Sequence, residues 1–298
     1  MRCLVTGGAG FIGSNLALEL EKQGHEVIIA DSLFTGSKKN ICRFKGRLLD
    51  IDVSKPFEVD DKFDAIFHEA AITDSRFGDE AETIRANVDG FKNILKLVKK
   101  KDAGLVYAST ANLYGNGPVP MKENQEKQLI SAYGKSKLLM DELAMKQGIG
   151  MHIVGLRYFN VFGPNETNKG RAASMIYHLR NQIKEGKRPR IFKYGEQKRD
   201  HIYVKDVVEA TIKALSARSG IYNVGTGIAT SFNELVDCLN NAMGTSYKPE
   251  YFDMPYDHAT YQENTQADTS LTEFCLKFKA SYSLLEGIKD YLRILDEG

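Results

Sequence analysis

Tyr133 and Lys137 stand four residues apart in the run Tyr133-Gly134-Lys135-Ser136-Lys137, which opens a helical pattern, so both side chains project from one face. An ammonium beside a phenol favours the tyrosinate and lowers its pKa toward the working pH, which suits Tyr133 to removing a hydroxyl proton. Ser109-Thr110 close the fifth strand-like run, one strand–helix unit earlier. A Thr110 hydroxyl at the C-terminal edge of a sheet reaches the region where such sites form.

A second group holds something rather than reacting. Gly7, Gly10 and Gly13 lie in Thr6-Gly7-Gly8-Ala9-Gly10-Phe11-Ile12-Gly13, between the first strand and the first helix. Glycine permits the turn and the close approach of backbone to a pyrophosphate, and the helix N-terminus supplies free N–H groups. The loop therefore points to a dinucleotide, NAD or NADP. Asp31 ends the second strand, roughly 20 residues on, where an acid accepts from both adenosine ribose hydroxyls and favours NAD. Lys38, just beyond, suits a 2′-phosphate or a solvated loop, and the two signals conflict. Asp50-Ile51 end a third strand and flank the adenine by position. With a nicotinamide present, Tyr133 takes the proton while hydride leaves the same carbon, and Lys137 also binds the nicotinamide ribose.

These residues need a scaffold. Strand-like runs at Cys3–Thr6, Glu26–Ala30, Ala65–His68, Leu105–Ala108 and His152–Leu156 alternate with helix-like runs at Ile12–Gln23, Glu80–Lys100 and Tyr133–Gln147. Short, nearly all-apolar strands between helices predict an α/β, doubly wound parallel (Rossmann) sheet covered on both faces. After Phe159 the pattern loosens. Helices near Ala172–Glu185, Val204–Ser216, Phe232–Met243 and Leu284–Leu295 are joined by long loops and short strands. The expectation is a dinucleotide-binding part, 1–158 plus 200–225, and a smaller mixed α/β lobe, 159–199 plus 226–298.

Composition narrows the class. The 298 residues are 42% hydrophobic and 27% charged, enough for one large core or two fused lobes. Lys plus Arg number 40 against 39 Asp plus Glu, which argues against a nucleic-acid partner. Lys99 to Lys101, and Lys187 with Arg188 and Arg190, read as a solvated helix end and a turn. Cys3, Cys42, Cys238 and Cys275 fit neither a zinc site nor a disulfide framework, and no metal is expected. No apolar run reaches roughly 18 residues, and the N-terminus shows no signal pattern. A cytoplasmic setting without a membrane partner is expected.

The glycine loop, Asp31, His68-Glu69-Ala70-Ala71, Asn87, Ala108-Ser109-Thr110, Tyr133 with Lys137, and Arg157-Tyr158-Phe159-Asn160 resemble the extended short-chain dehydrogenase/reductases, enzymes of nucleotide sugars. The resemblance runs along nearly the whole chain. It implies a catalytic set of Thr110, Tyr133 and Lys137, a tightly bound NAD or NADP, a nucleotide-diphosphate sugar as substrate and a homo-oligomer. It adds Phe11, Ile12, Ser32, Glu69, Ala70, Ala71, Asn87 and Val161 to the cofactor contacts.

Within that family, Tyr158 to Pro164, Asn168-Lys169-Gly170, Ala173-Ser174 with His178, Phe192, Lys198-Arg199-Asp200 and the stretch Tyr261 to Asp268 look like the ADP-glycero-manno-heptose 6-epimerases. That resemblance implies that Lys169 is a second acid/base, facing the opposite side of the carbon from Tyr133. It places Asn160, Arg171, His178, Phe192, Arg199 and Tyr261 at the substrate, with Arg199 a clamp for the pyrophosphate. Plainer readings stand beside these: Lys169 a solvated turn, His178 packed against the sheet, Arg199 and Asp200 an ion pair. The chain also departs from the pattern. Thr110 replaces a serine, Arg171 replaces a small polar residue, and Glu166-Thr167-Asn168 replaces a glycine–histidine. A UDP-hexose 4-epimerase, for which one tyrosine suffices, is the alternative. A non-catalytic dinucleotide-binding regulator is a third reading, opposed by the intact Thr110, Tyr133 and Lys137. A dehydratase needs an acid/base pair where this chain has Ala111-Asn112.

Overall fold

The computed structural model describes residues 1–73, 79–255 and 261–297. Strands β1 (Arg2–Thr6), β2 (Glu26–Asp31), β3 (Arg47–Asp50), β4 (Ala65–His68), β5 (Gly104–Thr110) and β6 (Ile153–Tyr158) alternate with helices α1 (Phe11–Lys22), α2 (Glu80–Lys101) and α3 (Ala132–Gln147). The rest comprises β7 (Asn160–Phe162), α4 (Met175–Lys184), β8 (Arg190–Phe192), β9 (Lys198–Tyr203), α5 (Val204–Ala214) and β10 (Gly220–Val224). It ends with β11 (Ala229–Ser231), α6 (Phe232–Met243), β12 (Glu250–Phe252), α7 (Ser270–Leu276) and α8 (Leu284–Glu297).

The main sheet is parallel, in the order β10-β6-β5-β4-β1-β2-β3. Its central strands are apolar along most of their length because both faces are covered, whereas the edge strand β3 has exposed Arg47 and Asp50 at its ends. Cys3, Val5, Val27, Ile29, Phe67, Val106 and Val154 pack with Leu16 and Leu20 of α1 and Val207 and Ala210 of α5. The alternate residues Leu4, Ile28, Ile66, Leu105, Tyr107 and Ile153 pack with Phe91, Ile94 and Leu95 of α2 and Met140 of α3. A period of two thus divides each strand between two helical layers.

The strand order reverses at β1, between β2 on one side and β4 on the other, and the C-terminal strand ends part there into a crevice. Two small sheets lie beyond it, β11-β9-β7 and β12-β8. A third core of Ile176, Leu179, Phe232, Leu235, Ile288 and Tyr291 joins α4, α6 and α8. Among the described residues no helix is long and apolar enough to cross a membrane.

The helix expected from Ala172 begins at Met175 instead. Ser174 is its N-cap, and its hydroxyl accepts from Tyr177 N. Residues 167–172 form a separate 3₁₀ turn, interrupted by Gly170 at φ 53°. The seven-residue helix α7 lay below the reach of periodicity.

Candidate active site

The crevice is a cleft of about 600 Å³. Its floor is the glycine loop. Gly7 sits at φ +68°, and a Cβ there would stand 2.6 Å from Ala70 N. A Cβ on Gly13 would stand 2.2 Å from the Gly7 carbonyl oxygen, so helix α1 starts directly against the turn. This cradle has room for a pyrophosphate only because the side chains are missing, and it fits a dinucleotide on that ground.

Of the sequence-derived cofactor residues, Gly7, Gly10, Phe11, Ile12, Gly13, Asp31, Ser32, Ile51, Glu69, Ala70, Ala71, Asn87, Tyr133 and Lys137 all line the cleft. Asp31 fastens the loop: its carboxylate accepts from Ala9 N at 2.9 Å and Leu33 N at 2.7 Å. Asn87 joins the segment after β4 to α3, exchanging bonds with the Ile72 backbone and donating to Ser136 Oγ at 3.0 Å.

Three positions fall elsewhere. Lys38 is exposed at the start of a 3₁₀ turn, Lys38–Ile41, capped by Ser37, and lies outside the wall. Asp50 is exposed, while its neighbour Ile51 lines the cleft. Val161 packs between the first and third cores. Sequence reasoning passed over Phe34, Thr35 and Gly36 after β2, and Asp52, Val53 and Ser54 after β3, all in the wall. Their signal is positional: each group directly follows a strand of the parallel sheet.

Tyr133 and Lys137 enter from the first two turns of α3, whose N-cap Ser131 accepts from Gly134 N at 3.0 Å and bonds to Asn112. Lys137 is fully buried and donates to Ala108 O at 2.8 Å. Burial pushes its ammonium down to about 8, against the pull of Glu69 and Asp141. The Lys137 Nζ lies 5.8 Å from the centre of the Tyr133 ring. The expected lowering of the tyrosine is not what the chain alone shows. Desolvation drives the Tyr133 phenol up to about 12, its hydrogen bond with Thr110 pulls it back, and Glu69 adds to the rise. Burial of the phenol outweighs the hydrogen bond that favours its ionised form. Thr110 closes β5 and caps the next turn, accepting from Asn112 N at 3.2 Å.

Two further groups complete this end. Tyr158 of β6 lines the wall, and its hydroxyl contacts Glu69 at 2.9 Å. Lys169 lines the same wall from the 3₁₀ turn, with Nζ 5.3 Å from the centre of the Phe11 ring. Its loop is anchored by buried Glu166, whose carboxylate accepts from Gly163 N, Ser174 N and Ser174 Oγ. Asn165 and Asn168 tie it to Ser14 and Asn40, and Asn40 also donates to Ala9 O.

A second cluster forms beyond the cleft wall. Phe192 of β8 meets Tyr261 edge-on at 5.7 Å, and the Arg199 guanidinium lies 5.1 Å from the Tyr261 ring centre. Arg199 is buried and donates to the carbonyls of Lys198 and Glu263 at 2.9 and 2.8 Å; burial lowers its pKa. Asp200 is not its ion-pair partner. That carboxylate is occupied by Thr226 N and Oγ1, Gly227 N and Ala267 N. Asn160 accepts from Thr265 Oγ1 at 2.9 Å, which ties β7 to the same late segment. His178 is half-buried in α4, edge-on to Tyr177, and Arg171 is exposed in the turn.

Residues 3–225 match the NAD dependent epimerase/dehydratase family. The chain belongs to that family. It is 36% identical over 311 aligned residues to the ADP-L-glycero-D-manno-heptose-6-epimerase of Brachyspira hyodysenteriae, covering 99% of this chain and 98% of that one. Among solved structures, the ADP-L-glycero-D-manno-heptose-6-epimerase of Helicobacter pylori superposes with a TM-score of 0.92 at 35% identity, covering 99% and 96% of the two chains. The UDP-glucose 4-epimerase of Thermotoga maritima, solved with UDP-glucose, gives 0.91 at 26% identity, covering 100% and 99%.

Proposed function

We propose that the chain is a two-base, NAD-dependent 6-epimerase of ADP-glycero-manno-heptose. The observation that carries this is Lys169, which lines the same cleft as Tyr133 and Lys137. The two 6-epimerase relatives, each similar over nearly its whole length, supply the substrate.

Inverting a carbinol carbon needs a planar ketone between two hydride transfers, and a dinucleotide held by the glycine loop would supply that exchange of hydride. The chain's own residues handle the proton. Tyr133 exchanges it with the sugar hydroxyl in one orientation, with Thr110 hydrogen-bonded to the phenol. Lys169 does so from the other side once the ketone has turned. Lys137, anchored on Ala108 O, holds positive charge beside the phenol. Glycine-loop backbone, Asp31 and Asn87 orient the dinucleotide. Phe192, Arg199 and Tyr261, with Asn160 nearby, hold the nucleotide-diphosphate portion of the sugar, the cationic guanidinium facing the pyrophosphate. In this reading residues 1–158 with 200–225 hold the cofactor and 159–199 with 226–298 the sugar. The setting is the cytoplasm, as the cysteine usage suggests, and the assembly a homo-oligomer, as the resemblance implies.

Incubation with ADP-D-glycero-D-manno-heptose is expected to give the L-glycero epimer, followed by proton NMR at C6. Conversion of UDP-glucose to UDP-galactose, with the heptose untouched, would replace this reading with the 4-epimerase that the Thermotoga maritima neighbour favours.

A further inference from the structure

Glu69 of the cofactor wall has neighbours that bear directly on its protonation state. Its Oε1 lies 2.9 Å from the Tyr158 hydroxyl, which lies 2.8 Å from Thr211 Oγ1, which lies 2.7 Å from the Val207 carbonyl oxygen. These are three hydrogen-bond contacts in a row. The carbonyl can only accept, and the two hydroxyls bring one hydrogen each. With Thr211 donating to Val207, Tyr158 donates either to Glu69, which leaves the Thr211 contact without a hydrogen, or to Thr211, in which case the third hydrogen sits on Glu69. The row is complete only when Glu69 is a neutral carboxylic acid.

Among the described residues, Tyr158 of β6 and Lys137 of α3 act on this carboxyl, Tyr133 of α3 feels it, Thr211 of α5 stands behind Tyr158, and the side of β1 contributes Gly7, which has no side chain. Lys137 and Tyr133 mark this as the end of the cleft where hydride chemistry takes place. Oxidised and reduced dinucleotide carry the same phosphates and differ in the ring, which is cationic only when oxidised.

We propose that Glu69 is a positioning residue sensitive to redox state: a neutral acid donating to Tyr158 beside a reduced dinucleotide, and a carboxylate beside an oxidised one. The proton leaves for solvent on oxidation and returns on reduction. The ionised form retains a partner, because Tyr158 can turn its hydrogen to the carboxylate, at the cost of one contact in the row. Burial supports the assignment by pushing the Glu69 carboxyl up to about 7, with Tyr158 and Lys137 pulling it down. The proposal rests on the cleft holding NAD.

The test is infrared difference spectroscopy of the enzyme with bound dinucleotide, reduced minus oxidised, near neutral pH. A carboxylic acid carbonyl band is expected to appear on reduction, and to be missing in Glu69→Gln. The equilibrium between the bound and the free couple gives a second readout. Oxidised over reduced binding is expected to rise roughly tenfold across the titration of Glu69, the factor for a shift of one pKa unit. Glu69→Gln flattens that dependence, leaving what Lys137 contributes above about pH 8. An unchanged band or slope in Glu69→Gln overturns the proposal and leaves the NAD reading standing. A protein that takes up neither form overturns both.

Discussion

At the switch point of the main sheet the floor of the cleft is largely backbone. Gly7, Gly10 and Gly13 present no side chains, Asp31 is tied to two backbone amides, and the walls rise from the strand ends, from α2 and α3, and from Tyr158 and Lys169. Around Arg199 the wall is side chain. Phe192 on the three-residue β8, Arg199 on the six-residue β9 and Tyr261 in a late segment meet through ring contacts. A backbone site is fixed by the fold and suits a ligand that stays. A side-chain site on short strands can be retuned residue by residue, and it suits the part of the enzyme that chooses a sugar.

The sharpest way to break this contrast is to disable chemistry without touching the backbone cradle. Tyr133→Phe is expected to lower kcat roughly 10³-fold, within the range for loss of a general acid/base, while NAD binding changes little. Lys169→Ala is expected to cost roughly 10²-fold under a two-base mechanism. Steady-state assays on the heptose substrate, with NAD binding followed by fluorescence, check both. Near-normal turnover in Lys169→Ala would leave Tyr133 as the sole base and point to whole-ring turnover, as in a 4-epimerase.

The two regions also differ in how far the sequence disclosed them. The alternation of strands and helices yielded the parallel sheet and with it the cleft, because burial on both faces leaves a strong apolar signature. Asp50 and Ile51 show where that logic stops: position found the strand end, and only the structure shows that Ile51 lines the wall and Asp50 does not. Lys38 carries the right charge, but a 3₁₀ turn takes it out of the wall, and turns of this kind leave no periodic trace. The Phe192, Arg199 and Tyr261 cluster was legible only through resemblance, since no local pattern brings together residues so distant in the chain. The raised pKa of Tyr133 was beyond sequence reasoning altogether, because it depends on desolvation in three dimensions.

A smaller effect separates holding the sugar from transforming it. Tyr261 packs on both Phe192 and Arg199, so Tyr261→Ala removes an aromatic contact and a cation–π partner. Together these are worth about 1–2 kcal/mol, a rise in substrate KM of roughly tenfold. With kcat and NAD affinity unchanged, the cluster is a binding device. A parallel fall in kcat would mean that Tyr261 also sets the orientation of the reacting carbon.

The smallest expected effect is on stability and bears on the cofactor side alone. The Glu69 carboxyl is raised in the folded chain from 4.5 to about 7. Between those values the folded state binds a proton that the unfolded state has lost, so folding stability declines as pH climbs through this window. Glu69→Gln cannot ionise and should remove that decline, by about 1–2 kcal/mol, less than the full shift because water in the open cleft screens the carboxylate. Denaturant melts of both proteins at about pH 5 and pH 7.5 measure it. Lys137 acts in the opposite sense and higher up: its ammonium is lowered from 10.5 to about 8, so stability gains as pH climbs through that interval. Wild type should therefore pass through a shallow minimum between the two windows, and Glu69→Gln should lose only the acid side of it. A minimum that survives in Glu69→Gln would assign the acid limb to another carboxyl, such as half-buried Glu123, whose pKa burial also raises.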